Sequence, residues 1–205
     1  MIRQIRPIIV AVVLVMATMA LPTAASATEF HSEASHTLYV GSQIGEVVLT
    51  VNAGTLRCAE VNTSVTGTSA TNTTLKSGTA TFTECKAFGF VNATADLNGC
   101  EFEANADTNE VNVVNCVTAA AFTAFNCWVT IDNQSGLGST TYTNTGSGNG
   151  RYLIGDANLS GIKYTQHSKT FPGCTSGTFE NGTLVGEGTL KGKNTLGEQV
   201  GIWKE

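Results

Sequence analysis

The stretch CEFEANADTNEVNVVNC, residues 100–116, decides the fold that we predict for this chain. If it folds back on itself at its polar centre, Cys100 faces Cys116 and the two cysteines close the open end of a β-hairpin. Phe102 and Ala104 then share the face of Cys100, whereas the alternate residues of that arm are acidic. The central run ADTNE supplies the Asp and Asn that favour turns. The stretch therefore predicts a disulfide-closed hairpin in which residue 102 pairs with 114 and residue 104 with 112.

The sequence does not settle the pairing register of this hairpin. The predicted pairing sets Glu103 against Val113, an acidic residue against an apolar one. A one-residue bulge would change the face that Val111 and Val113 occupy.

The first residues of the chain have the pattern of a secretory signal peptide. Arg3 and Arg6 precede an apolar run over residues 8–21, and the small residues Ala25, Ser26 and Ala27 follow it. The run is 14 residues long, whereas a membrane-spanning helix requires about 20. We therefore assign residues 1–27 to a signal peptide and expect a secreted protein, extracellular or wall-associated, without membrane attachment after cleavage.

The charge of the mature chain excludes some classes of partner. Residues 28–205 carry 9 basic and 16 acidic side chains, a formal charge of −7. Nucleic acids and anionic membranes are bound by clustered Lys and Arg, and the nearest approach to a cluster is Lys191 with Lys193. We predict that neither is a partner.

Six cysteines in an exported chain predict three disulfides. Fifteen pairings are open, and the hairpin symmetry favours only Cys100 with Cys116. Because no C-x-x-C pair or Cys/His cluster is present, we predict no metal ion and no cofactor. The pairings that we prefer are Cys58 with Cys85, Cys100 with Cys116, and Cys127 with Cys174.

Alternation with a period of two recurs along the mature chain. One example is Val47, Leu49 and Val51, and another is CWVTI, where Cys127, Val129 and Ile131 point inward. Strand signals about every 8 to 12 residues, with almost no 3.6-residue periodicity, predict an all-β fold. We expect an antiparallel sandwich or barrel-like domain stapled by disulfides.

We predict a flexible polar leader at residues 28–36 and a single domain at 37–205, with a possible subdivision near residue 133. Within the domain, residues 88–116 predict a three-stranded meander whose first turn is Asn98-Gly99. VTAAAFTAFN, residues 117–126, is the one stretch that tolerates a short helix or a buried connection.

Catalytic patterns are weak in this sequence. His167 is the only histidine outside the leader, and we interpret it as a solvent-facing loop residue. A carboxylate-based glycan hydrolase needs only two acids, and Glu101 and Glu103 share one strand face roughly 7 Å apart. Outward-facing acids are ordinarily solubility features, so we predict no catalytic residue and lean against an enzyme. The acids considered are Asp96, Glu101, Glu103, Asp107, Glu110 and Asp132.

Two groups of side chains carry oxygen and nitrogen atoms that could bind a metal ion. One is the leader, with Glu29, His31, Glu33 and His36. The other is Asp107, Asn109 and Glu110, where the calcium-loop spacing is absent. We interpret the first as a polar leader that frays or lies along a sheet edge, and the second as outward-facing surface residues.

Five pieces of the mature chain carry a resemblance, namely ECKAFGF, VNATADLNGC, QSGLGSTTYTN, NLSGIKYTQ and GEQVGIW. They resemble a group of uncharacterised exported proteins from soil actinobacteria. The resemblance implies a secreted β-rich domain with disulfides, and it implies no activity and no catalytic residues.

Three functional hypotheses follow. The first is a non-enzymatic extracellular or cell-wall-associated binding or structural domain, with polysaccharide or a wall component as partner and Trp128 as an exposed platform or a packing residue. The second is a secreted carboxylate-based hydrolase acting on glycans. The third is a carrier of a small apolar ligand, whose cavity would be lined by Phe88, Phe90, Phe102 and Phe122.

Overall fold

The computed structural model describes residues 27–118, 120–124, 126–169 and 174–205. The predicted signal peptide, apart from Ala27, lies outside the described residues. Within these ranges the chain forms seventeen β-strands and one 3-10 turn, Gly148–Gly150. The predicted all-β class is confirmed.

The strands fall into a first and a second half of the chain. In the first half they are β1 (Phe30–Ser32), β2 (Leu38–Val51), β3 (Gly54–Thr66), β4 (Thr71–Asn72), β5 (Thr74–Lys76), β6 (Thr79–Ala87), β7 (Val91–Asp96), β8 (Glu101–Asn105) and β9 (Val111–Val114). In the second half they are β10 (Ala120–Ala124), β11 (Cys127–Ile131), β12 (Gln134–Leu137), β13 (Ser139–Thr145), β14 (Tyr152–Ser168), β15 (Gly177–Lys193), β16 (Gln199–Val200) and β17 (Ile202–Lys204).

Eight strands close into an antiparallel barrel in the order β14-β11-β10-β7-β6-β3-β2-β15. The barrel closes because β15 pairs with β2 on one side and with β14 on the other. β13 and β16 extend the sheet beside β14 and β15. Strands from both sides of residue 133 share this sheet, so the barrel is built from both parts of the chain.

Two smaller sheets accompany the barrel, in the orders β17-β1-β4 and β12-β9-β8-β5. Phe30 of β1 and Ile202 of β17 are 1% and 0% exposed. They cluster with Tyr39, Val65 and Leu153, which lie where β2 and β14 begin and β3 ends. The sheet β17-β1-β4 therefore covers this end of the barrel.

The prediction of a flexible leader at residues 28–36 is wrong for residues 30–32. Phe30–Ser32 is the middle strand of its sheet and pairs with β17 and β4. Phe30 explains the difference, because a buried aromatic ring anchors this segment to the barrel core.

The hairpin over residues 100–116 forms with a shifted register. Phe102 pairs with Val113, one residue away from the predicted partner. The extra residue is Asn115, whose φ of 57° is left-handed, and its side-chain amide donates a hydrogen bond to the Glu101 carboxylate at 2.6 Å. This bulge turns Val111 and Val113 to the face of Phe102, where both are buried.

The meander predicted over residues 88–116 is wrong. β7 belongs to the barrel, whereas β8 and β9 belong to the sheet β12-β9-β8-β5. Asn98 and Gly99 do make a turn, with φ of 50° and 80°, and the Asp96 carboxylate accepts the Asn98 N–H at 2.9 Å. The turn leads the chain from one sheet into another instead of joining neighbouring strands.

The short helix considered for residues 117–126 is also wrong. Ala120–Ala124 is strand β10, and Phe122 pairs with Ala95 of β7 and with Val129 of β11. Pairing on both edges outweighs the helix tolerance of alanine. Residues 119 and 125 of this stretch lie outside the described residues.

All six cysteines form disulfides, and the pairings are those that we prefer from the sequence. Cys58–Cys85 joins directly paired residues of β3 and β6. Cys100–Cys116 closes the β8–β9 hairpin, and Cys127–Cys174 joins β11 to the segment before β15. The prediction of three disulfides is confirmed.

Amide side chains take the place of backbone pairing at several edges. Gln134 accepts the N–H of Lys163 at 2.8 Å and donates to its carbonyl at 3.0 Å. Asn144 makes the same two bonds to Lys204, each 2.9 Å long. A side-chain amide carries the donor and acceptor of a peptide group, so it satisfies backbone groups that would otherwise lack a strand partner.

Candidate functional site

An apolar cavity of about 280 Å³ lies between the barrel wall and the sheet β12-β9-β8-β5. Residues of β2, β3, β6, β14 and β15 form the barrel side of the cavity. The opposite side carries Leu75, Phe102, Ala104 and Val111. An eight-stranded barrel is just wide enough to be filled by side chains or to hold one small ligand.

The floor of the cavity is bare backbone. β14 and β15 pair Gly155 with Gly188 and Ala157 with Gly186, so four neighbouring inward positions carry only one methyl group. Glycine removes the side chains that would otherwise project into the barrel interior here. Space remains at Gly155, where the nearest atom lies 3.5 Å from the Cβ position, whereas Val47 and the Ser42 carbonyl lie 2.9 and 3.1 Å from the Cβ positions of Gly186 and Gly188. The sequence carries a signal for the floor, because the even positions of β15 from 182 to 192 are all Gly or Leu.

Aromatic rings form much of the rest of the lining. Phe82 of β6 and Phe102 of β8 lie with ring centroids 6.5 Å apart. Phe30 of β1 contacts Tyr142 of β13 edge to face, with centroids 5.1 Å apart. A flat floor opposite aromatic side chains favours a flat, apolar occupant.

The cavity lining carries almost no charge. Burial raises the pKa of Tyr142 to about 12, so its phenol stays neutral at physiological pH. Among the described residues that line the cavity, Glu187 is the only Asp, Glu, Lys, Arg or His, and its side chain is exposed. A charged ligand would lose its hydration here without gaining a counter-charge, so the cavity suits an uncharged one.

Only one of the four phenylalanines predicted to line a carrier cavity lines the main cavity. Phe102 lines the main cavity. Phe88 and Phe122 line a separate pocket of about 40 Å³ near the β2–β3 turn, and Phe90 is 79% exposed. Sequence reasoning missed the glycine floor, Phe82 and Tyr142, because the lining depends on strand register.

Comparison of the chain with protein-family models, with curated proteins and with solved structures finds no match. The resemblance to exported actinobacterial proteins therefore stays a prediction.

None of the six carboxylates considered for a hydrolase lines the cavity. Hydrogen bonds from the Lys76 ammonium at 3.0 Å and the Asn112 amide at 3.1 Å hold the pKa of Glu103 below its ordinary value of 4.5. A general acid at neutral pH needs a raised pKa. Glu101 accepts a hydrogen bond from Asn115, so both members of the predicted pair have structural partners.

Trp128 has the geometry of a cross-strand packing residue. It pairs with His167 of β14, and the two rings stack with centroids 5.0 Å apart and planes 8° apart. The ammonium of Lys169 lies 5.7 Å from the indole centroid. His167 is therefore a strand residue and not the loop residue that we predict, and its Nε2 lies 3.2 Å from the Thr130 hydroxyl.

The polar groups considered as metal ligands have other partners. His31 stacks on Trp203 at 5.3 Å, and the Glu33 carboxylate accepts the Gly201 N–H at 3.2 Å. Asn109 accepts a hydrogen bond from the Lys204 ammonium. In the described part of the chain, no three His, Cys, Asp or Glu side chains are grouped to hold a metal ion.

No helix in the described ranges is long and apolar enough to cross a membrane.

Proposed function

We propose that this protein is an exported, non-enzymatic binding domain that holds a small uncharged apolar molecule in its barrel cavity. The observation that carries the proposal is the apolar cavity of about 280 Å³ over the glycine floor. Concave, mostly apolar pockets are the usual sites for small ligands, and the volume of about 280 Å³ lies just below their range of about 300 to 1,000 Å³.

The volume sets the size of the ligand. An apolar cavity of about 150 Å³ holds a benzene molecule, so a cavity of about 280 Å³ corresponds to a molecule of about two fused rings. The flat floor of Gly155, Gly186 and Gly188 and the facing aromatic residues favour a flat shape.

Export is part of the proposal. The signal-like pattern of residues 1–27, the three disulfides and the resemblance to exported proteins all support an oxidising, extracellular location. Wall association would require a second surface. Trp128, the residue considered for that role, has His167 stacked on its indole ring, so no contact in the described residues favours a polysaccharide partner over the cavity ligand.

The proposal is tested with 1-naphthylamine, an uncharged two-ring fluorophore whose emission moves to shorter wavelength in apolar surroundings. Titration of the purified protein should give saturable binding at one site, with a Kd below about 1 mM. Phe102→Trp narrows the cavity and should weaken binding, whereas Trp128→Phe should leave it unchanged. Absence of saturable binding, or equal loss in both variants, would overturn the proposal.

A further inference from the structure

The chain enters its first strand directly after the predicted signal-cleavage bond, Ala27–Thr28. Glu29 is already fixed in the sheet, because its N–H donates to the Glu205 carbonyl at 2.5 Å and its carbonyl accepts the Glu205 N–H at 3.0 Å. The next residue, Phe30, is buried and anchors β1 to the barrel core. A chain that begins at Thr28 therefore has a defined place for its amino group.

One carboxylate faces the nitrogen of Thr28. Oδ1 of Asp107, in the turn between β8 and β9, lies 3.4 Å from this nitrogen. In the part of the chain that the structure describes, no other hydrogen bond or salt bridge reaches the Asp107 carboxylate. The ammonium of Lys204 interacts with the Asp107 charge, but its hydrogen bond goes to Asn109. Asp107 can therefore accept a second positive charge at Thr28.

The turn that carries Asp107 is held in place by its neighbours. Ala106 is 0% exposed, and its N–H donates to the Thr73 carbonyl at 2.8 Å. The Asn105 side chain accepts the N–H groups of Asp107 and Thr108 at 2.8 and 3.0 Å. These bonds fix the backbone of the turn, so binding a charged group there costs little further ordering.

Cleavage changes the group that Asp107 faces. In the uncleaved chain the Thr28 nitrogen is a peptide N–H with one hydrogen and no charge. Hydrolysis of the Ala27–Thr28 bond adds one water molecule and leaves a carboxylate on Ala27 and an ammonium on Thr28. An α-amino group has an ordinary pKa of about 7.7 to 8.0, so at neutral pH it is mostly charged and carries three donors. A charge-assisted hydrogen bond to a carboxylate is roughly twice as strong as a neutral one.

We infer that the β8–β9 turn is a binding site for the mature amino terminus, in which the Asp107 carboxylate binds the Thr28 ammonium that signal cleavage creates. The ion pair joins the sheet β17-β1-β4 to the β8–β9 hairpin. Ala104 and Val111, the paired residues next to this turn, line the cavity. The inference rests on the export part of the proposed function and adds to it the cleavage bond and its structural consequence.

The first test is the amino-terminal sequence of the protein recovered from the culture medium, read by mass spectrometry. Thr28 should be the first residue. A secreted protein that begins at another residue would overturn the inference and leave export intact. A chain that keeps residues 1–27 would overturn both.

The second test measures the acetylation rate of the α-amino group on the amino-terminal peptide. Only the uncharged amine reacts, and the ion pair holds the group in its charged form. An exposed ion pair predicts that Asp107→Asn raises this rate about 2- to 5-fold at low salt. Asp156→Asn is the matched control, because Asp156 is an exposed aspartate on β14, and it should leave the rate unchanged. An unchanged rate in Asp107→Asn, or the same rise in both variants, would overturn the inference.

The third test repeats the acetylation with a chain that begins at Ser26, whose amino group is roughly 7 Å further along the chain. Asp107→Asn should not change the rate there, and an effect as large as in the chain that begins at Thr28 would overturn the inference. None of these measurements uses the cavity. Their failure therefore leaves the ligand proposal to the dye titration, and absence of dye binding leaves the amino-terminal site standing.

Discussion

Filling the cavity should stabilise the protein and abolish its binding at the same time. Gly155 is the most suitable position, because a Cβ there would lie 3.5 Å from the Tyr142 ring and 3.6 Å from the Thr140 methyl, both ordinary contacts. Its strand neighbour Gly188 leaves room for a larger side chain. We therefore choose Gly155→Val.

The expected stabilisation combines two contributions. Burying a valine side chain contributes about 1.5 to 3 kcal/mol when burial is complete, and replacing glycine inside a strand contributes about 0.5 to 1 kcal/mol. Because the cavity leaves part of the new side chain without contacts, we expect about 2 kcal/mol in total. For a chain of this length that raises Tm by about 4 to 8 °C.

The assay is thermal unfolding combined with 1-naphthylamine titration. Gly155→Val should have a higher Tm and at least about 10-fold weaker binding, two changes that a damaged protein cannot show together. The control is Gly150→Val, because Gly150 is exposed and has no neighbour within 4 Å of its Cβ position. A lower Tm for Gly155→Val, or a higher Tm with unchanged binding, would refute the assignment of the cavity as the binding site.

Further predictions concern the disulfides, the pH dependence of stability at acid pH, and the stacked rings of Trp128 and His167. Chain entropy predicts that removing Cys127–Cys174, which are 47 residues apart, lowers the free energy of unfolding by about 4 kcal/mol. Removing Cys100–Cys116, which are 16 residues apart, should lower it by about 3 kcal/mol. Denaturant unfolding that gives the reverse order would contradict this. The pKa of the Glu103 carboxylate is lowered in the folded state, so this group stabilises the fold above its ordinary pKa of 4.5, and that stabilisation is lost as pH falls through the folded pKa. Glu103→Gln should therefore flatten the pH dependence of the free energy of unfolding below about pH 4.5. An unchanged slope would contradict the prediction. Trp128→Ala should lower stability by about 1 kcal/mol through the lost contact with His167, and a neutral result would mean that this ring stack contributes nothing.

Alternation predicted most of the barrel strands but not how they connect. CWVTI forms β11 with Cys127, Val129 and Ile131 buried, as its pattern indicates. Asn98-Gly99 fixes a turn, but no local signal specifies whether the next strand stays in the same sheet. Ala120–Ala124 became a strand because the next strand, β11, supplied one of its edges and β7, more than 20 residues earlier in the chain, supplied the other.

The candidate site was less predictable than the fold. The hairpin register depends on one left-handed residue, Asn115, and face alternation cannot locate such a bulge. The cavity floor is formed by pairing Gly155 with Gly188 across β14 and β15, and that pairing is a property of the whole barrel. Without the register, a glycine-rich strand indicates weak packing and not a binding site.

The most direct test of the cavity assignment is the set of NMR contacts made by bound 1-naphthylamine. Nuclear Overhauser effects should join the naphthalene protons to the methyl groups of Leu159, Leu184 and Leu190 and to the ring of Phe82, which line the cavity. Contacts to Trp128 or Trp203 at the surface, with none to these leucines, would contradict the account.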